Sequence, residues 1–253
     1  MAYEPRAIYQ NTMNDASNIG DFLRGMNITP EEIKRALQVN KEYRPFRLVH
    51  FEMPAKDAFL KLLTLYQRRV QQRARKLVLD ENTANVMAQV AQEMTKQYPK
   101  QGFWFIGLRG NGKTTLAKSL YDLILSESGN TDFGFDAQYF KNDSKQVTAT
   151  ELSKIYRMDD HKRLNDYIHA PMLLIDDLGE EPREILVYGT PIYPLREILE
   201  SRYSAMNFTI LTSNLTPDDL KEQYGGRVVD RINEMFCRVI HTGSSYRRIE
   251  DNG

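Results

Sequence analysis

Three polar clusters in this 253-residue chain carry residue types at spacings suited to phosphate chemistry. The first is "GLRGNGKTT", Gly107 to Thr115, which satisfies the pattern G-x-x-x-x-G-K-[ST]. Glycines let a backbone curl until successive N–H groups point inward at phosphate oxygens, an approach that a Cβ would hinder. Lys113 would then reach the β- and γ-phosphates, and the Thr114 hydroxyl would ligate Mg²⁺. The cradle is expected to comprise Gly107, Gly110, Asn111, Gly112, Lys113, Thr114 and Thr115, with a nucleoside triphosphate as ligand. The second cluster is Asp176-Asp177 in "PMLLIDDLGEE". An aspartate at the carboxyl end of a parallel strand can hold the Mg²⁺ of a nucleotide, and that role falls to Asp176. Asp177 is the candidate to orient or deprotonate the attacking water, with Glu180 or Glu181 in support. The third cluster, Thr212-Ser213-Asn214, ends another apolar run. If its strand lies between the two motif strands, Asn214 would meet the γ-phosphate or the water.

These clusters need a scaffold that brings strand ends together. "FWFI" (103–106), "MLLI" (172–175), "FTIL" (208–211) and "CRVIH" (237–241) are each too short for a helix and bounded by turn or polar residues. A further strand is expected within 133–149. "TTLAKSLYDLIL" follows the glycine loop as a helix whose N-terminus adds partial positive charge under the phosphates. Buried strands alternating with helices imply an α/β fold with a parallel sheet covered on both faces. In "SNLTPDDLKEQY", Thr216 is a candidate N-cap and Pro217 takes the first helical position. In the next helix Arg227 and Arg231 share a face. Either guanidinium could complete a neighbouring subunit's site, although spacing alone reads more simply as a solvated surface.

Ahead of this region the chain is polar and broken by prolines, with a helix start at "NITPEEIKRALQ". Phe59, Leu62, Leu63, Tyr66, Val70 and Leu77 recur at helical spacing, with Arg68, Arg69, Arg73, Arg75 and Lys76 mostly off that stripe. A second amphipathic stretch holds Met87, Val90, Ala91 and Met94. The boundary falls near 50–80, giving a small helical region over 1–80 and a nucleotide-binding domain over 81–253.

Composition narrows the function classes. The 34 basic and 34 acidic residues balance, against a uniformly basic coat. Cys237 stands alone, so no intrachain disulfide forms, and the four histidines show no zinc-ligand spacing. No apolar run reaches membrane-span length and the first residues lack a signal-peptide core, so a cytoplasmic protein with no membrane partner is expected.

Together the motifs resemble the AAA+ ATPases of the DnaC/IstB group, the bacterial and phage replicative helicase loaders and their transposition-helper cousins. "GLRGNGKTTLAKSL" is similar to their Walker A motif and "LLIDDLGEE" to their Walker B motif. "LREILESRY" is similar to the helix that follows, "TILTSNLTPDDLKEQYGGRVVDRINEM" to the sensor-1 and arginine-finger block, and "SSYR" to the closing motif. The resemblance spans about residues 85–248 and rests on the order and spacing of five motifs; residues 1–80 match no such pattern. It implies an AAA+ P-loop ATPase that uses ATP and Mg²⁺, with slow hydrolysis stimulated by DNA or a partner. It further implies Asn214 as sensor 1, Arg231 (or neighbouring Arg227) as arginine finger and Arg247 as sensor 2. The implied activity is loading of the hexameric replicative helicase onto single-stranded DNA, by an oligomer that forms when ATP is bound. The N-terminal helices would grip the helicase, and their basic residues would serve its acidic face, DNA phosphates or solvent alone. An IstB-type helper of a DNA transposase is the alternative, and a switch that signals by nucleotide binding a third class. One cysteine cannot build the zinc module of DnaI-type loaders.

Overall fold

The computed structural model describes Thr29, Glu31 and residues 49–242 apart from 78, 132, 134, 135, 159 and 188. The chain divides into two compact units, Met1–Phe46 and Arg47–Gly253. Apart from Thr29 and Glu31 the first, with the rest of the helix expected to begin at Thr29, lies outside the described residues, as does Arg247.

The second unit opens with helix α1 (Ala55–Gln71), set off by Pro54. Its buried residues Ala58, Leu62 and Tyr66 fall at four-residue steps, one face of a helix. That face packs against α2 (Glu81–Met94) and α3 (Lys113–Glu127). Two ion pairs fix it to α3, Arg69 to Asp122 at 2.5 Å and Lys61 to Glu127 at 2.7 Å. Helix α2 is capped by Asp80, whose carboxylate accepts the Thr83 N–H at 2.7 Å.

Between α2 and α3 runs β1 (Gly102–Gly107). After α3 come α4 (Ala137–Asp143), β2 (Lys145–Thr148), α5 (Ala149–Arg157), α6 (His161–His169) and β3 (Met172–Leu178). A short antiparallel pair, β4 (Ile185–Val187) and β5 (Thr190–Ile192), precedes α7 (Pro194–Ser204) and β6 (Phe208–Ser213). The described part closes with α8 (Pro217–Tyr224), α9 (Gly226–Met235) and β7 (Cys237–His241). The five main strands form one sheet in the order β2-β3-β6-β1-β7, parallel at every pairing.

Alternation along the strands divides the core into two layers. Phe103 and Phe105 join α1, α2 and α3 on one face, with Met172, Leu174 and Ile210. Trp104 and Ile106 join α5 to α9 on the other, with Leu173, Ile175 and Leu211. Both faces being buried is why the strands read as unbroken apolar runs rather than alternating ones. The same geometry sets every motif-bearing strand end along one edge of the sheet. No helix among the described residues is long and apolar enough to cross a membrane.

Candidate functional site

The glycine loop joins β1 to α3, and its backbone requires glycine. Gly112 takes φ 92° at the N-cap of α3. Gly107 takes φ 153°, and a Cβ there would stand 2.2 Å from the His241 carbonyl oxygen and 2.5 Å from Asn111 Nδ2. Asn111 is fully buried and donates from Nδ2 to that same carbonyl at 2.7 Å, which ties the loop to the end of β7. Lys113, also buried, donates from Nζ to Leu108 O at 2.7 Å and to Asn214 Oδ1 at 2.9 Å. The lysine thus spans from the loop to the tip of β6.

That contact follows from strand order. β6 lies between β1 and β3, so Asn214 sits between the glycine loop and the aspartates, the condition set for it above. Asp176 Oδ1 accepts hydrogen bonds from Thr114 Oγ1 at 2.9 Å and from Thr212 Oγ1 at 2.6 Å. Its Oδ2 lies 3.3 Å from Lys118 Nζ. Pairing of β3 with β6 becomes irregular between Ile175 and Leu178, and there Asp177 adopts φ 57° with its N–H donating to Thr212 Oγ1 at 2.9 Å. The bend turns the Asp177 side chain out to the lip of the site. Desolvation by the surrounding loop pushes its pKa up, and repulsion from Asp176 and Glu180 adds to this against the opposing pull of Lys113 and Arg109.

Glu180 and Glu181, adjacent in sequence, face different surroundings. Glu180 pairs with Arg109 at 2.8 Å and accepts from Asn214 Nδ2 at 3.3 Å; the Arg109 contact holds its pKa below the usual value. Glu181 is buried, accepts the Gly179 N–H at 2.8 Å and accepts a short hydrogen bond from the Tyr224 hydroxyl, and burial pushes its pKa up. It links the loop after β3 to the end of α8.

These residues border a cavity of about 830 Å³. It is lined by Gly110, Asn111, Gly112, Lys113, Thr114 and Thr115, by Asp176, Asp177 and Asn214, and by a wall from the end of α1. Among the described residues no three His, Cys, Asp or Glu side chains gather into a metal site. A divalent cation at Thr114 and Asp176 would therefore complete its oxygen shell from phosphate and water. Neither Arg231 nor Arg227 borders the cavity. Arg231 is paired with Glu200 at 3.2 Å and lies over the Tyr203 ring, while Arg227 is exposed on α9. Sequence reasoning did not single out Lys118 or Thr212 for Asp176. The signal for Lys118 was its place one helical turn beyond Thr114, on the same face.

The parallel sheet flanked by helices, with a glycine loop between β1 and α3, has the architecture of a P-loop NTPase. The chain matches no family model and no curated protein. Among solved structures it is similar to the DnaC helicase loader at 24% identity, covering 66% of this chain and 93% of that one, with a TM-score of 0.45. DnaI aligns at 19% identity over 68% of this chain and 88% of its own, TM-score 0.49. AMPPCP-bound DnaA from Aquifex aeolicus aligns at 17% over 70% of this chain and 52% of its own, TM-score 0.45. The assignment of architecture rests on the strand order and register given above.

Proposed function

We propose that this protein is an AAA+-type ATPase that loads the hexameric replicative helicase onto single-stranded DNA, assembling with copies of itself when ATP is bound. The observation that carries the ATPase part is the convergence of Lys113, Thr114, Asp176 and Asn214 at adjacent strand ends around one cavity. Magnesium bound with the nucleotide would supply charge neutralisation between the β- and γ-phosphates. In this reading Thr114 and Asp176 hold the metal, and Lys113 exchanges its contacts with Leu108 and Asn214 for phosphate oxygens. Asp177 takes a proton from the attacking water, and Asn214 positions that water or the γ-phosphate. An arginine of a neighbouring copy, Arg231 or Arg227, and Arg247 of the same chain complete the charge around the phosphates. The loader part rests on the order and spacing of the five motifs.

Two measurements test the two parts. Lys113→Ala should weaken ATP binding by roughly tenfold to a hundredfold, the span expected on losing hydrogen bonds to a charged group. Unchanged binding would remove the ATPase reading. Native mass of the full chain with its host's replicative helicase, with and without ATP and single-stranded DNA, should reveal a discrete complex. Absence of that complex, with nucleotide-dependent filaments or rings on duplex DNA instead, would replace helicase loading by a transposition-helper role.

A further inference from the structure

One wall of the cavity is built from outside the glycine loop. It consists of Tyr66, Val70, Arg73, Ala74, Arg75 and Lys76, the last turns of α1 and the bend beyond it. Tyr66 and Val70 stand one turn apart on one face of α1, and Arg73 follows in the turn just beyond Gln71. At the bend Ala74 takes φ 55°, its N–H donates to Gln71 O at 2.9 Å and the Arg75 N–H donates to Val70 O at 3.3 Å. This Schellman-type closure turns the chain back so that Arg75 and Lys76 also line the cavity. Arg73 Nη1 lies 3.4 Å from the hydroxyl of Thr115, the residue after the proposed Mg²⁺ ligand. A helix C-terminus carries partial negative charge and would by itself repel an anion. The three cations reverse that sign. Across the whole lining six cationic side chains (Arg73, Arg75, Lys76, Arg109, Lys113, Lys118) face two carboxylates.

Building on the nucleotide-site reading, we propose that the basic end of α1 is the second half of the nucleotide site. Arg73 contacts the inner phosphates, those nearer the sugar, with Lys76 beside it, while Tyr66 and Val70 give the sugar and base an apolar surface. The placement follows from Thr115, in the first turn of α3, where the N-terminal amides of such a helix meet the α- and β-phosphates. The two ion pairs between α1 and α3 hold this wall in register with the loop.

The test is titration of the full chain with ATP and with ADP. Arg73→Ala should weaken both nucleotides alike, by about tenfold, and Arg73→Gln should do the same. Arg68→Ala, an exposed charge of the same helix that does not border the cavity, should change neither. In the unsubstituted chain, ADP should slow hydrogen exchange over residues 66–77. Normal ATP and ADP affinity in Arg73→Ala/Lys76→Ala, with binding lost in Lys113→Ala, would overturn this inference and leave the nucleotide site standing. Loss for ATP alone would overturn the inner-phosphate placement. Full binding in Lys113→Ala as well would instead remove the nucleotide-site reading itself.

Discussion

Asp177 is held at φ 57°, a left-handed conformation that costs most residues about 1 kcal/mol or more and is tolerated best by glycine, asparagine and aspartate. Its raised pKa carries a stability consequence with a definite sign. Above the folded-state pKa the ionised carboxylate penalises the folded chain relative to the unfolded one. Below the unfolded value both states are protonated and the penalty vanishes. Asp177→Asn, which keeps both the shape and the left-handed backbone, should therefore raise the melting temperature more at neutral pH than near pH 3. A pH-independent gain would mean that asparagine acts through the backbone alone. The same variant should bind ATP and lose hydrolysis, and the acid limb of the wild-type hydrolysis profile should lie above the usual aspartate range. Gly107 makes a sharper prediction. A methyl group 2.2 Å from the His241 carbonyl cannot be absorbed by a side-chain rotation, since that oxygen belongs to the paired strand β7. Gly107→Ala should open the β1–β7 pairing at its last residue, lower the melting temperature and weaken nucleotide binding, read by thermal melting and titration. Gly102→Ala is a useful comparison. Its Cβ would meet Thr209 O at 2.1 Å, but at the far end of β1, so it should lower stability and leave nucleotide affinity largely intact.

At the scale of elements the chain uses one arginine as a brace. Arg202 of α7 is fully buried and donates to Thr209 Oγ1 and to the carbonyls of Tyr167, Ile168, Ala170 and Phe208. Burial pushes its pKa down to about 9, so the guanidinium remains charged at neutral pH. The five contacts lock α7 to the end of α6 and the starts of β3 and β6, whose far ends carry Asp176 and Asn214. Arg202→Lys has at most three donors for them and should cost roughly 2–4 kcal/mol by leaving buried acceptors unpaired. Denaturant unfolding measures this; a loss below about 0.5 kcal/mol would mean water replaces the brace. Nothing in the sequence marks Arg202 as buried, because a lone arginine in "LESRY" reads as surface. The strands were legible for the opposite reason: Phe103 to Ile106 and Met172 to Ile175 are buried on both faces, which leaves an apolar run that helical spacing cannot mimic. The Asn214 position was legible only conditionally, since strand order is set by long-range pairing rather than by local composition. The β4–β5 hairpin was not legible, as "EILVYGTPI" reads equally as a packed loop. The α1 wall of the cavity was missed because Arg73, Arg75 and Lys76 lie where the helix ends, and helical periodicity gives no guide to what the residues of a turn face.

At the scale of the whole molecule the proposed function requires one copy to reach another's phosphates. Arg231 is only partly exposed, paired with Glu200 and stacked on Tyr203, while Tyr203 itself donates to Glu234 at 2.6 Å. Such a hold is modest. A partly exposed ion pair contributes about 0.2–1 kcal/mol and an exposed cation–π contact about 0.5–1 kcal/mol. A hydrogen bond to a triphosphate is worth about 1.5–3 kcal/mol. An arginine finger here could therefore leave Glu200 when a neighbour's nucleotide is presented and return when it is hydrolysed, making Glu200 a competitor for the same guanidinium. Glu200→Gln removes the competing charge and keeps its size. Hydrolysis per chain should then rise at low protein concentration, where assembly limits the rate, and converge with the unsubstituted chain once assembly is saturated. Arg231→Ala should flatten the concentration dependence while sparing nucleotide binding. An unchanged Glu200→Gln curve, together with loss of assembly-dependent hydrolysis in Arg227→Ala, would move the finger to the exposed arginine four residues earlier. In that case the Glu200–Arg231–Tyr203 contact would serve as a fixed joint between α7 and α9, and Arg231→Ala should lower thermal stability rather than turnover.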